Sequence, residues 1–491
     1  MDHGEAPGEV PHPRLGTVTV TNTTAPVPPP TRVGSQPALG TSLPPAPPPR
    51  ASPSPSPAAN HRGRDWEPSQ GSHNSRLLVV GGGITGLSAA IEAAEAGRDV
   101  VLIERQAQLG GRVAQLYQYF PKLCPPVCGL EINLRRMRTS PRIQSFTLAE
   151  VEAVTGGPGH YQVSIRQQPR FVAERCSACG KCAEVCPVER PNAFDFGMKG
   201  MKASKAAYLA YPGAWPTRYA IDAKACLAPF CTKCVDACPT KAIDLTQQPR
   251  IFQLDVQAVI WATGWEPYQP TRLTDLGFGA HPDVITNMMM ERLASPTGPT
   301  GGRIVRPSND QAPASVAFVQ CAGSRDDAHL AYCSGLCCMA SAKQARYLRA
   351  QHPAAEIFIY YIDRRASGRQ EGFLAETEQD AKVHFVPGKV ARVSVEAGSP
   401  VVEVEDTSKG SKLRQKVDLV VLATGMVPMQ THAGLATDGY GFLSREQPSE
   451  GQLTAGCARG PMDVATAVRD ATSAVLHALE YCKTNHREAN R

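Results

Sequence analysis

The sequence predicts an α/β fold: a parallel sheet wound by helices, with a small cysteine-rich domain inserted into it. Three observations lead there. A glycine-rich turn, Gly81–Gly86, stands between a buried-type apolar run and a helical apolar pattern. Two runs of four cysteines, each closing on Cys-Pro, lie between Cys176 and Pro239. Two apolar strands far downstream each end in Ala-Thr-Gly.

The chain has 491 residues, enough for two to four domains. Its net charge of +6 is small for that length and does not favour nucleic-acid binding. No apolar run approaches the roughly 20 residues of a membrane helix. Seventeen of the 43 prolines precede Gln70, in a stretch without periodicity, so Met1–Asn74 reads as a disordered extension with no secretory pattern. The 16 cysteines are clustered rather than spread like a secreted disulfide framework, and clustering of this kind points to metal.

The globular part opens with a strand, Ser75–Val80, followed by Gly81-Gly82-Gly83-Ile84-Thr85-Gly86. Leu87, Ala90, Ile91 and Ala94 then share a helix face, with Gly97 as terminator. A second strand, Val100–Ile103, ends in Glu104. Each part has a physical task. Gly81 makes the tight turn, Gly83 lets the backbone approach a pyrophosphate, and Gly86 permits close helix–strand packing. The helix N-terminus supplies amides and positive dipole, and Glu104 accepts from ribose hydroxyls. This context favours a dinucleotide site over a plain glycine turn.

Leu109-Gly110-Gly111-Arg112 follows the acid. Downstream, Val256–Trp261 ends in Ala262-Thr263-Gly264, and Val417–Leu422 ends in Ala423-Thr424-Gly425. These features resemble the two-dinucleotide-binding-domain flavoproteins, a likeness that implies FAD in the first site. It places Gly111, Arg112, Ala262, Thr263, Gly264 and Gly456 among the residues against the cofactor. The chain ends with Leu453–Gly456, then a helix from about Met462 to Leu479. Cys457 stands where an acidic residue commonly follows, which leaves that contact to backbone amides.

The insert, Arg170–Leu245, has the spacings Cys176-x2-Cys179-x2-Cys182-x3-Cys186-Pro187 and Cys226-x4-Cys231-x2-Cys234-x3-Cys238-Pro239. Three thiolates of one loop can face one cuboidal cluster while the fourth turns to the other. By that pattern one [4Fe–4S] cluster takes Cys176, Cys179, Cys182 and Cys238. The second takes Cys226, Cys231, Cys234 and Cys186. Paired zinc knuckles are the alternative, although zinc sites rarely repeat this ending. A further group, Cys321, Cys333, Cys337 and Cys338, lies in Cys-Ala-Gly-Ser-Arg and Tyr-Cys-Ser-Gly-Leu-Cys-Cys. On spacing alone it fits a third cluster, a zinc site or buried small side chains.

With Tyr361-Ile362-Asp363-Arg364-Arg365, the set resembles the heterodisulfide reductase A-like family. Tyr119–Asn133 is similar to the branch of that family found in quinone-interacting membrane-bound oxidoreductases. The resemblance implies a third [4Fe–4S] cluster on Cys321, Cys333, Cys337 and Cys338. It also implies electron transfer between the menaquinone pool and adenylylsulfate reductase, through partner subunits that hold the chain at the cytoplasmic membrane face. A member of another complex, including an electron-bifurcating one, shares every cofactor. A non-catalytic relay is a further alternative. An NAD(P)H flavoenzyme needs a second glycine fingerprint, and Cys321–Arg325 stands in its place. Cys124 and Cys128 follow Gly111 at about the distance of a flavin-proximal redox pair, but Pro125-Pro126 disfavours a helix between them. The expected domain limits are 1–74, 75–169, 170–245, 246–300, 301–425 and 426–491. The segment 301–425 is a degenerate nucleotide-binding-like domain, and the segments around it are three parts of a FAD-binding domain.

Overall fold

In the computed structural model the described residues are 76–198, 201, 203–368, 370–430, 434–445, 447 and 450–488. The expected extension 1–74 lies outside them.

The first strand, β1 (Arg76–Val80), is apolar from Leu77 to Val80, where it is buried on both faces. It runs through the glycine turn into α1 (Ile84–Glu95) and returns as β2 (Asp99–Glu104). Ala96 and Gly97 close the helix, with Gly97 at φ +85°, the left-handed conformation that glycine adopts without penalty. A second helix, α2 (Pro126–Thr139), leads to β3 (Ile143–Thr147). The sequence argues against a helix here, yet Pro126 occupies its first turn. A missing amide proton costs nothing at that position, so the proline pair starts the helix instead of preventing it.

Next come β4 (Ala149–Gly157) and β5 (His160–Gln167), which pair antiparallel with each other, and β5 pairs on its other side with β6 (Arg250–Val256). The chain then turns into β7 (Ala258–Trp261) beside β1. Val256–Trp261, which the sequence presents as one strand, is therefore two. Gln257 lies at the break, and the two pieces belong to different sheets.

The insert fills the gap between β5 and β6. Its two ends are joined by a Val172–Ile243 bridge and by hydrogen bonds from Asp244 N to Phe171 O and from Ala173 N to Ala242 O. Its core is Val172, Ala207, Ile221, Ala242 and Ile243, with Cys182 and Cys234. Two single helical turns, Lys181–Glu184 and Lys233–Asp236, carry those cysteines.

The second half contains β8 (Val284–Thr286), α3 (Asn287–Ala294), β9 (Ser315–Ala322), α4 (Cys337–Gln351), β10 (Glu356–Tyr361), α5 (Gln370–Glu378), β11 (Val383–Pro387) and β12 (Leu419–Thr424). The chain returns to the first sheet with β13 (Gln452–Thr454) and ends in α6 (Val464–Glu488). The first parallel sheet has the order β13-β7-β1-β2-β3 and the second β8-β12-β9-β10-β11. Val284–Thr286 thus joins the second sheet, although the sequence places it in the first domain. Met288, Met289 and Met290 pack as core. The two Ala-Thr-Gly ends run into short strands, Trp265–Pro267 and Met426–Pro428, which pair with each other.

Candidate functional site

Both sheets direct the ends of their strands toward one cleft of about 2080 Å³. On the first-sheet side Gly81, Gly83, Glu104, Gly111 and Arg112 line it. Ala262, Thr263 and Gly264 line it at the end of β7. The glycines divide into two kinds. A Cβ at Gly81 would lie 2.2 Å from Ala262 O, and one at Gly86 would lie 1.7 Å from Gly81 O, so both are fixed by packing. A Cβ at Gly83 would meet nothing nearer than the Gly111 Cα at 3.8 Å. Its free side is the cleft itself, at the mouth of α1, where no acidic side chain competes for the helix N-terminus.

Glu104 is buried, with Oε2 accepting from Gly82 N and Oε1 from Gln106 N, both at 2.7 Å. Burial raises its pKa above the ordinary carboxylate range, and those backbone donors partly offset the rise. The Arg112 guanidinium lies over Phe196 and Trp265 and donates to Trp265 O. Thr263 Oγ1 is buried without a hydrogen-bond partner, a polar atom poised for a ligand. A flat, polyphosphate-bearing dinucleotide fits this surface: open glycine backbone, a free helix N-terminus, a buried carboxylate and an unanswered hydroxyl.

Gly456, at φ +65°, packs so closely that a Cβ would lie 2.3 Å from Thr85 Oγ1. Cys457 lines the cleft. The acid absent from position 457 has a counterpart on α6, because Asp470 Oδ2 accepts from Gly456 N at 2.7 Å and its other oxygen pairs with Arg459. Sequence spacing does not reveal Asp470, which sits in mid-helix with no local motif. A buried set that lines the cleft from the second half is equally hidden. Glu291 on α3 pairs with Lys343 on α4 at 3.0 Å and accepts from Gln344 Nε2 and Tyr117 N. Lys343 also donates to Gln118 O. Two charged residues, Glu291 and Arg292, directly after three methionines in one short helix are the available signal.

Cys124 lines the cleft and Cys128 does not. Both are exposed free thiols, Cys124 ahead of α2 and Cys128 in its first turn. In the insert, Cys176, Cys179, Cys182 and Cys238 line one small cavity together with Tyr219. Cys234, in turn, is in electrostatic contact with Cys226, Cys186 and Cys231. Cys321, Cys337 and Cys338 are buried and Cys333 half-buried. Burial pushes the Cys321 thiol up to about 11 and raises Cys337 and Cys338, and the neighbouring cysteines raise all three further. Thiols packed this closely can ionise together only with a cation among them, as a metal would supply. Among the described residues no three His, Cys, Asp or Glu side chains converge closely enough to hold a single ion.

Cys321 breaks the β9 ladder, at φ +55° and inside a register shift between Val319 and Ala322, which turns its side chain out of the strand pattern. Asp363 O lies 3.5 Å from Cys338 Sγ, and the Asp363 carboxylate holds Arg365 and Arg325. Asp363, Arg365 and Arg325 therefore border this cysteine set.

Residues 79–127 match an NAD(P)-binding Rossmann-like domain and residues 169–189 a 4Fe-4S binding domain. Over 84% of its length the chain is 36% identical to the A-type subunit of the ferredoxin:CoB-CoM heterodisulfide reductase of Methanosarcina mazei, covering 54% of that protein. It is 37% identical over 82% of its length to an A-type iron-sulfur subunit of the CoB–CoM heterodisulfide reductase of Methanopyrus kandleri, covering 64% of it. The chain thus spans between about half and two thirds of the length of these relatives. Thioredoxin reductase of Lactococcus lactis aligns over 84% of this chain and 99% of its own, at 12% identity and a TM-score of 0.45. Among the described residues no helix is long and apolar enough to cross a membrane. Across the part it shares with them, the chain is homologous to the A subunits of heterodisulfide reductases, at 34–37% identity.

Proposed function

We propose that this chain is a FAD and iron–sulfur electron-transfer subunit of a heterodisulfide-reductase-like oxidoreductase complex. The single observation that carries the reading is that Cys337 lines the same cleft as Gly83 and Thr263. A thiol of the third cysteine set thereby borders the dinucleotide surface. FAD, when bound, supplies the means to exchange electrons in pairs with one side and singly with iron–sulfur clusters.

The protein's own part is to hold and orient. The α1 amides and Gly83 receive the pyrophosphate, Glu104 the ribose, and Arg112 and Thr263 the cofactor beyond it. Asp470 fixes the Gly456 turn against α1. The Glu291–Lys343 pair presents a fixed ion pair to the cleft from α3 and α4. Three four-cysteine sets hold three [4Fe–4S] clusters, with the ligands as grouped above. Other subunits of the complex are the electron partners. The relatives' names favour a heterodisulfide-reductase-type complex. The narrower reading, with menaquinone and adenylylsulfate reductase at the membrane face, rests on the Tyr119–Asn133 stretch alone.

Anaerobic purification with iron, sulfide and flavin quantification tests the cofactor set. About twelve iron atoms and one FAD per chain are expected from three four-iron clusters. About eight iron atoms would remove the third cluster, and absence of flavin from protein with full iron would sink the cleft assignment.

A further inference from the structure

Three Lys or Arg side chains are buried among the described residues: Arg170, Arg292 and Lys343. Arg292 pairs with Asp195 at 2.7 Å and Lys343 with Glu291 at 3.0 Å. Arg170 has no carboxylate partner. Its guanidinium is answered only by neutral oxygens: Ala107 O, Thr147 Oγ1 at 2.7 Å, Arg218 O at 3.3 Å and Tyr219 O at 3.4 Å. A second guanidinium, Arg218, lies close by. Its Nε is buried without a partner, and its nearest carboxylate, the mostly exposed Glu174, is 3.9 Å away.

Two adjacent cations, one buried without a counter-ion, are costly unless an anion answers them. Burial and the neighbouring Arg218 push Arg170 down to about 9, a sign of that cost. The anion is next door. Tyr219, whose carbonyl accepts from Arg170, lines the cavity of Cys176, Cys179, Cys182 and Cys238, and both guanidinium groups are within electrostatic reach of Cys176.

We propose that Arg170 and Arg218 are the counter-cations of the cluster held by Cys176, Cys179, Cys182 and Cys238, and that they raise its reduction potential above the value it would have without them. This rests on the cofactor reading above. Reduction adds one electron, and a cation beside the thiolates favours the state with the extra negative charge. The same fork ties this half of the insert to the flavin domain, since Ala107 and Thr147 belong to the β2–β4 region. The cluster beside Arg170 is thereby the one clamped to the flavin domain. Arg170 and Arg218 act as positioning residues that touch no substrate.

The test is an EPR-monitored redox titration of the full chain, with iron and sulfide counted first. In Arg170→Met one cluster signal moves to lower potential and the others stay. A tenfold change in its reduction equilibrium corresponds to about 59 mV for a one-electron couple. Arg170→Lys keeps the charge while losing the fork, so its signal stays near the wild-type position. Arg218→Met moves the same signal in the same direction by less, and serves if the Arg170 variants do not assemble. Unmoved potentials in methionine variants with full cluster content would overturn the proposal. So would a lysine variant that shifts as far as the methionine one. Wild-type protein without a cluster at Cys176 would instead overturn the cofactor reading, and this inference with it.

Discussion

Gly83 and Gly86 are three residues apart and respond to an added side chain for opposite reasons. At Gly83 the new atoms enter the cleft. Gly83→Val should therefore yield folded protein with its iron content intact and its flavin lost, read from the ratio of flavin to iron absorbance. At Gly86 the first added carbon collides with the Gly81 carbonyl. Gly86→Ala should cost about 3 kcal/mol of stability and lower the thermal midpoint whether or not flavin is present. A Gly83→Val protein with full flavin would refute the site. Cys457 offers a second test at this scale. Burial pushes its thiol up to about 11, with Asp463 and Asp470 adding to the rise and the Met462 backbone hydrogen bond opposing it. A thiol whose folded pKa lies above its unfolded value stabilises the fold below about pH 9 and loses that contribution as pH climbs toward 11. For a half-buried group the loss is about 1–2 kcal/mol. Thermal unfolding of wild type and Cys457→Ala at pH 8 and pH 11 should show the wild type losing more stability. Parallel losses would mean the thiol is not held neutral.

At the scale of elements, legibility follows locality. The β1–α1–β2 unit is readable because its strand, turn, helix and acid are contiguous, and each residue type has one local task. The insert is readable because thiolate spacing within a loop is itself the constraint. Breaks between sheets are not readable. Val256 and Ala258 carry the same apolar character, and only the competition between β5 and β1 for backbone partners separates them. The start of α2 misleads because a proline pair opposes a helix interior and suits a helix beginning. The roles of Asp470 and Glu291 are hidden for a different reason: their partners, Gly456 and Lys343, come from other elements. Asp470 ties α6 to the turn after β13 and, through Gly456, to Thr85 in α1. Asp470→Ala leaves the Gly456 amide and Arg459 without their acceptor. It should cost about 1–3 kcal/mol and weaken flavin retention. Asp470→Asn should lose less, because its amide oxygen can still accept. Differential scanning calorimetry with flavin release on dilution separates the two, and equal losses would discount the hydrogen bond.

At the scale of the whole molecule, two parallel sheets of similar order face one cleft, and only the first has a dinucleotide turn. In β1–α1 three residues separate strand from helix, so the helix N-terminus points where a pyrophosphate would lie. In β9–α4 the strand ends at Ala322 and the helix begins at Cys337, and the intervening loop is packed. Gly323, the glycine nearest the expected turn, has Tyr268 against it: a Cβ there would lie 2.8 Å from the ring. Tyr268 is itself held by His329 from the same loop. A pyrophosphate would have to displace the side chains that bracket Cys321 and Cys333. The architecture therefore places thiols where a second nucleotide would otherwise bind, and electrons should enter or leave through protein partners. Anaerobic mixing with NADH or NADPH should leave flavin absorbance unchanged over minutes, while a chemical reductant bleaches it. Rapid bleaching by either nicotinamide would show that the β9–α4 loop opens to admit one, and would restore the NAD(P)H flavoenzyme reading.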